Sequence, residues 1–124
     1  MQFCTVINCM DGRVQIPVIT FLQQRFKAEF VDSITEPGPI RVLADQDDQD
    51  RIQSILDRLE ISLEGHGSQQ VAVVGHDDCA GNPAGRDEQM EQIERSLQFL
   101  RGRFEGIEMI GLWVDESLKV HEVA

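Results

Sequence analysis

The chain lacks any apolar run near the roughly 20 residues that a transmembrane helix needs, so we expect no membrane span. Positive charge is also scarce, because 11 lysines and arginines stand against 22 aspartates and glutamates, giving a formal net charge of −11 at pH 7. Such an acidic chain repels phosphate backbones and anionic lipid surfaces. We therefore expect neither nucleic-acid nor membrane partners.

The cysteines are few and odd in number. Three cysteines do not suit the disulfide framework of a small secreted protein. The first residues contain neither the basic region nor the small-residue cleavage site of a secretory leader. We expect a cytoplasmic protein, in which thiols near a histidine indicate metal binding or catalysis.

Length and composition predict one folded domain spanning residues 1–124. This length matches that of a typical single domain, and a hydrophobic content of 41% is enough for a core. Charged residues make up 27% of the chain without forming long like-charge blocks, which argues against disorder. Pro37-Gly38-Pro39 is the strongest break in the sequence pattern, but it lies too early to be a domain boundary.

Strand-like and helix-like segments alternate along the chain. Apolar runs predict strands at 3–8, 29–34, 71–75 and 107–114. Between them, apolar residues recur at helical spacing in segments that begin near residues 16, 47 and 86. Residues 119–123 follow a turn and predict a short antiparallel strand. The alternation favours a three-layer α/β fold with a central, mainly parallel β-sheet flanked by helices.

Two short motifs follow the first and third predicted strands. Cys9-Met10-Asp11-Gly12-Arg13 comes directly after the first, and Gly75-His76-Asp77-Asp78-Cys79 comes at the end of the third. Because the carboxyl ends of parallel strands meet at one edge of a sheet, we expect Cys9, His76 and Cys79 to converge. Two cysteines and one histidine form a zinc ligand set, and three protein ligands leave a fourth position open, as in catalytic zinc sites.

Asp11 and Arg13 give the first motif a second chemical role. Two thiolates neutralise the charge of Zn²⁺, so such a site lowers the pKa of bound water less readily than a site with three histidines. A nearby acceptor that orients the water offsets this weakness, and Asp11 is spaced for that task. Arg13 can hold the Asp11 carboxylate through a two-pronged bond and so keep it from coordinating the metal.

Cys-x-Asp-x-Arg after the first strand, followed by Gly-His-x-x-Cys after a later one, resembles the β-class carbonic anhydrases. The resemblance implies that Cys9, His76 and Cys79 bind zinc. It also implies that Asp11 and Arg13 are the catalytic dyad, which switches between orienting water and closing the site. The implied reaction is the reversible hydration of CO2 to bicarbonate by zinc-bound hydroxide, and the implied assembly is a homodimer or a higher homo-oligomer.

Parts of the sequence depart from this family pattern. Thr35-Glu36-Pro37-Gly38 stands where the family usually has Arg-Asn-Ala-Gly, and Ala80 stands where a glycine usually follows the second cysteine. Two alternatives therefore stay open. One is a non-catalytic zinc-binding domain whose site is closed by Asp11, and the other is a hydrolase of a related heteroallene such as carbonyl sulfide or carbon disulfide. Cysteine-based chemistry at Cys9 is a third, although the chain has no Cys-x-x-Cys motif for redox exchange.

The remaining cysteine, histidines and tryptophan fit structural roles. Cys4 lies in the middle of a strand without a partner motif, which favours core packing. His66 stands beside Gly67 in a loop and is expected to be exposed. His121 in the terminal strand is expected to be structural, and Trp113 to lie in the core or in an interface.

Overall fold

The computed structural model describes residues 2–124, which fold into strands and helices that alternate along the chain. The strands are β1 (Phe3–Cys9), β2 (Phe30–Glu36), β3 (Gln70–His76), β4 (Glu108–Val114) and β5 (Val120–Glu122), and the α-helices are α1 (Gln15–Arg25), α2 (Pro39–Asp45), α3 (Gln49–Glu60) and α4 (Arg86–Arg101). A 3₁₀ turn, Gly12–Val14, precedes α1, and a π-helical turn, Ile61–Gly65, follows α3. Among residues 2–124, no helix is both long enough and apolar enough to cross a membrane.

The strands of the described residues form one sheet in the order β2-β1-β3-β4-β5. The first four strands of that order run parallel, and β5 pairs antiparallel with β4. This arrangement confirms the predicted mainly parallel sheet with a short antiparallel C-terminal strand. Because β1 and β3 are central neighbours, the motifs at their carboxyl ends lie side by side.

Helices cover both faces of the sheet, which confirms the three-layer architecture. On one face, Ile7 and Val73 belong to a cluster of buried side chains that includes residues of α2, α3 and α4. On the other face, Val6 and Val74 belong to a second cluster that includes residues of α1. Neighbouring residues of one strand point to opposite faces, so these two central strands are apolar on both sides.

The helix α2 was not predicted from the sequence. The Pro37-Gly38-Pro39 run interrupts the pattern, but α2 begins at Pro39, because the fixed φ of proline suits the first turn of a helix. Gly38 has a φ of 59°, and a Cβ atom there would lie 2.7 Å from the carbonyl oxygen of Gly81. The break is therefore a tight turn that packs against the loop following Cys79.

Candidate metal centre

Cys9, His76 and Cys79 come together at the carboxyl edge of the sheet. Cys9 ends β1, His76 ends β3, and Cys79 lies in the loop that follows β3. The potential ligand atoms of the three side chains all lie within 4.8 Å of one another, and the two Sγ atoms are 3.7 Å apart. Two sulfur ligands of a tetrahedral zinc ion, each about 2.3 Å from the metal, would be separated by about 3.8 Å. The observed sulfur spacing therefore fits zinc.

The imidazole of His76 is buried and held in one orientation. Its Nδ1 atom lies 2.7 Å from the carbonyl oxygen of Asp77 and can donate a hydrogen bond to it. Its Nε2 atom is also buried and has no hydrogen-bond partner within residues 2–124. Leaving a buried polar nitrogen without a partner costs free energy, and a metal ion would satisfy its lone pair. A backbone carbonyl on Nδ1 is a common way of orienting a metal-binding histidine.

The surroundings shift the pKa values of Cys9 and Cys79 in opposite directions. Burial acts to raise the pKa of Cys9, but the adjacent His76 ring and the backbone N–H groups of Gly38 and Asp11 outweigh it and lower this pKa to about 7. Burial, followed by the nearby charge of Cys9, raises the pKa of Cys79. Two thiolates at this distance repel one another, and a divalent cation would remove that repulsion.

Arg13 holds the carboxylate of Asp11 in a two-pronged ion pair. The Nη2–Oδ2 distance is 2.7 Å, the Nε–Oδ1 distance is 3.1 Å, and the backbone N–H of Arg13 also donates to Oδ1 at 2.9 Å. The side-chain and backbone hydrogen bonds from Arg13 lower the pKa of Asp11 to about 2. For the described residues, the group of close metal-ligating atoms contains Cys9, His76 and Cys79 without Asp11.

Arg13 also joins the first motif to the second, a contact that was not predicted from the sequence. Its Nη2 atom donates to the carbonyl oxygen of Asp78 at 3.0 Å, and its Nη1 atom lies 3.4 Å from the Asp78 carboxylate. Asp78 has a φ of 56°, in the left-handed region that aspartate tolerates better than most residues. The turn before Cys79 is therefore tied to the Asp11–Arg13 pair.

Two side-chain amides support the loop that carries the first motif. Gln15 donates from Nε2 to the carbonyl oxygens of Cys9 and Asp11, at 2.7 and 2.8 Å. Asn8 is fully buried and donates from Nδ2 to the carbonyl oxygen of Val14 at 3.2 Å. Neither residue was predicted from the sequence, although Asn8, a polar residue inside the apolar run of β1, was an available signal.

A small cleft of about 90 Å³ lies beside the cluster. It is lined by Arg13, Val14, His76, Asp77, Asp78, Val114, Asp115, Glu116 and Leu118. Pockets for drug-sized ligands usually enclose about 300–1,000 Å³. A cleft of this size suits a much smaller molecule.

The other residues considered from the sequence lie outside the cluster. Cys4 is fully buried in β1, as predicted, and burial followed by the charge of Asp32 raises its pKa to about 11. His66 is exposed, as predicted, and its Nδ1 atom lies 2.6 Å from Asp32. The Nε2 atom of His121 lies 2.8 Å from Asp115. Trp113 is 3% exposed and lies in the core.

Comparison with known proteins assigns the chain to a family. The sequence profile of the family described as "putative carbonic anhydrase" matches residues 1–124. The chain belongs to this carbonic anhydrase family. The assignment confirms the resemblance to carbonic anhydrases that the two motifs indicated. No curated protein sequence matches the chain at a significant level.

The fold of this chain is similar to that of solved carbonic anhydrases and of a carbon disulfide hydrolase. The enzyme from Streptococcus mutans has a TM-score of 0.65 and 20% identity, over 97% of this chain and 81% of that chain. The enzyme from Glaciozyma antarctica has a TM-score of 0.64 and 20% identity, over the same shares of the two chains. A carbon disulfide hydrolase has a TM-score of 0.60 and 15% identity, over 97% of this chain and 77% of that chain. At such identities the likeness establishes the fold alone.

Proposed function

We propose that this protein is a zinc enzyme that catalyses the reversible hydration of CO2 to bicarbonate. The observation that carries the proposal is the arrangement of side chains at the carboxyl edge of the sheet. Cys9, His76 and Cys79 converge, whereas Arg13 holds the carboxylate of Asp11. Three protein ligands leave one position of a tetrahedral metal for a reacting molecule, which is the arrangement of catalytic zinc sites. Membership of a carbonic anhydrase family supports the same reaction.

The ligand set favours Zn²⁺ over the other common divalent cations. Cys9 and Cys79 offer sulfur, and His76 offers the buried Nε2 atom. Thiolate and imidazole ligands suit zinc, whereas Mg²⁺ and Ca²⁺ prefer carboxylate, carbonyl and water oxygens. When bound, zinc supplies the Lewis acidity that makes a water molecule nucleophilic near neutral pH.

Asp11 has the role of orienting the attacking water. With a pKa of about 2, its carboxylate is ionised at neutral pH and acts only as a hydrogen-bond acceptor. The water oxygen forms the new bond to the carbon of CO2, and the released proton passes to the buffer. Arg13 fixes the acceptor and keeps it from coordinating the metal itself, because its Nε and Nη2 atoms already hold that carboxylate.

The fold likeness to a carbon disulfide hydrolase favours a second candidate, the hydrolysis of carbon disulfide or carbonyl sulfide. These linear molecules are close to CO2 in shape, and the cleft of about 90 Å³ suits molecules of that class.

The other alternative, a non-catalytic domain closed by Asp11, is disfavoured by the ion pair between Asp11 and Arg13. A cytoplasmic location and assembly into a homodimer or a higher homo-oligomer stay predictions.

Stopped-flow CO2 hydration by the zinc-loaded protein tests the proposed function. We expect Asp11→Ala to lower the rate about 10²-fold or more, the usual scale for the loss of correct orientation of a reacting molecule. Asp47→Ala is the matched control, because it removes an exposed carboxylate on the segment before α3 and should leave the rate unchanged. A wild-type rate at the buffer background would reject CO2 hydration, and parallel assays with carbonyl sulfide and carbon disulfide would then decide the second candidate.

A further inference from the structure

The buried side of α4 carries polar side chains among its apolar ones. Gln89, Gln92 and Ser96 are at most 5% exposed, and they alternate with the apolar residues Ile93 and Leu97 at the spacing of one helix face. A buried amide or hydroxyl is costly unless it is hydrogen-bonded. Each of these side chains has a partner, and the partners of the two glutamines lie on the segments that carry the metal ligands.

Gln89 binds both backbone groups of the candidate ligand His76. Its Nε2 atom donates to the carbonyl oxygen of His76 at 3.0 Å, and its Oε1 atom accepts from the His76 N–H at 3.2 Å. Nε2 also donates to the carbonyl oxygen of Ala84 at 3.0 Å. The amide thus pairs with the end of β3 in the way that a neighbouring strand would.

Gly75 leaves the space that this contact needs. A Cβ atom at Gly75 would lie 2.8 Å from the Oε1 atom of Gln89 and 2.8 Å from the Cδ1 atom of Ile40. Both distances are too short for real contacts, so any larger residue would push Gln89 away from the backbone of His76. The glycine of the Gly-His-x-x-Cys motif and the glutamine of α4 therefore form one packing unit in this chain.

Gln92 holds the other ligand segment from one helical turn further along. Its Oε1 atom accepts from Nδ2 of Asn82 at 2.6 Å. The backbone N–H of Asn82 donates to the carbonyl oxygen of Cys79 at 3.2 Å, and the two residues form an isolated β-bridge. Asn82 is 2% exposed, so this link between α4 and the loop of Cys79 is buried.

We propose that Gln89 and Gln92 are positioning residues of the metal centre. They act through the backbone of His76 and through Asn82, and together they set the position of the His76 ring relative to the Cys79 thiol. This inference rests on metal binding by the cluster, as in the proposed function. Metal sites depend on such supporting hydrogen bonds, and losing one usually costs about 10–100-fold in affinity.

Co²⁺ binding to three variants of the full chain tests the proposal. Gln89→Met and Gln92→Met keep the length of the side chain and remove its hydrogen bonds. Ser96→Ala is the matched control, because it removes a buried hydrogen bond of the same helix, from Ser96 Oγ to the carbonyl oxygen of Ile40 at 3.1 Å. We expect both methionine variants to lose about 10–100-fold in Co²⁺ affinity and to show a shifted Co²⁺ absorption spectrum. The control should stay within about twofold of wild type, with an unchanged spectrum.

The comparison between glutamine and serine variants decides the outcome. Wild-type affinity and spectrum in both methionine variants would overturn the proposal, as would an equal loss in Ser96→Ala, which would tie the effect to stability alone. If circular dichroism shows that Gln89→Met is unfolded, Gln92→Met decides by the same criteria. A wild-type protein that binds Co²⁺ but does not hydrate CO2 when loaded with zinc would reject the proposed function and leave this test intact. A wild-type protein that binds no Co²⁺ would overturn both.

Discussion

The Sγ atoms of Cys9 and Cys79 lie 3.7 Å apart, although the two residues are 70 positions apart in the chain. The pairing of β1 with β3 at the centre of the sheet brings them together. Cys4, on the same strand as Cys9, is fully buried and belongs to the core cluster that packs against α1. Cys4 is therefore a control for metal binding, because it is a thiol of the same strand that lies outside the cluster.

Replacing either clustered cysteine should remove most of the zinc affinity. A serine hydroxyl is a poor zinc ligand at neutral pH, so we expect Cys9→Ser and Cys79→Ser to lose on the order of a hundredfold or more in affinity. Competition titration with a chromophoric chelator measures this change. Cys4→Ser should retain stoichiometric zinc, and an equal loss in that variant would contradict the proposed ligand set.

Removing Arg13 should allow Asp11 to reach the metal. Arg13→Ala deletes both side-chain nitrogens that hold the carboxylate, at 2.7 and 3.1 Å. We expect a changed Co²⁺ spectrum and a loss of about 10²-fold or more in CO2 hydration, because the displaced Asp11 no longer orients the water. Adding Asp11→Asn to this variant should restore the wild-type spectrum without the activity.

A second arginine serves as the control for that experiment. Arg25 pairs with Glu122 at 2.8 Å, and β5 carries this partner. Arg25→Ala should therefore leave the spectrum and the rate at wild-type values. A wild-type Co²⁺ spectrum in Arg13→Ala would show that Asp11 is held away from the metal by something other than the guanidinium.

Zinc affinity should fall as the pH is lowered. Metal binding requires thiolates and a neutral imidazole, so protons compete with zinc for the three side chains. The pKa of Cys79 is raised, so its thiol must lose a proton on binding near neutral pH. Below the Cys9 pKa of about 7, a second thiol proton must be displaced, and the dependence should steepen. Calorimetry in two buffers of different ionisation enthalpy counts the released protons, and a constant affinity from pH 6 to pH 8 would refute this expectation.

Thr5→Val should destabilise the protein without affecting metal binding. The fully buried Thr5 hydroxyl lies 2.6 Å from Ser62 Oγ and 2.7 Å from Ser68 Oγ. Both serines keep another acceptor, in Asp32 and Gln70, so we expect a loss of about 1 kcal/mol in the free energy of unfolding by urea. Thr20→Val, at an exposed position of α1, should change this free energy by no more than about 0.5 kcal/mol. Equal stability of Thr5→Val and wild type would contradict the assigned role of the hydroxyl.

The sequence predicts the layers of the fold well because apolar runs and helical stripes each report on burial. It also predicts that Cys9 and His76 meet, since both follow strands of a parallel sheet. The contact between Arg13 and Asp78 was not predictable, because it depends on a left-handed turn whose direction no periodicity encodes. The start of α2 was missed because Pro39 resembles a helix breaker and acts as a first-turn residue.

The sequence contains a signal for the buried hydrogen bonds of α4, although these bonds were not predicted. Gln89 and Gln92 fall on the same helical stripe as Ile93, and a polar residue on a buried stripe needs a partner. The identity of that partner was not predictable, because it depends on which strand end the helix packs against. The variants above test functional roles that stay predictions, namely those of Cys9, Asp11, Arg13, His76 and Cys79.

The long separation between Cys9 and Cys79 has a consequence for stability. In the unfolded chain, closing a loop of 70 residues costs about 4 kcal/mol of entropy from the logarithmic dependence on loop length alone. His76 and Cys79, in contrast, are near neighbours in sequence, so an unfolded chain can hold a metal only weakly, through that pair. Cys9, His76 and Cys79 come together only after β1 has docked on β3. Bound zinc would therefore link the two central strands of the folded sheet and stabilise the folded state over the unfolded one.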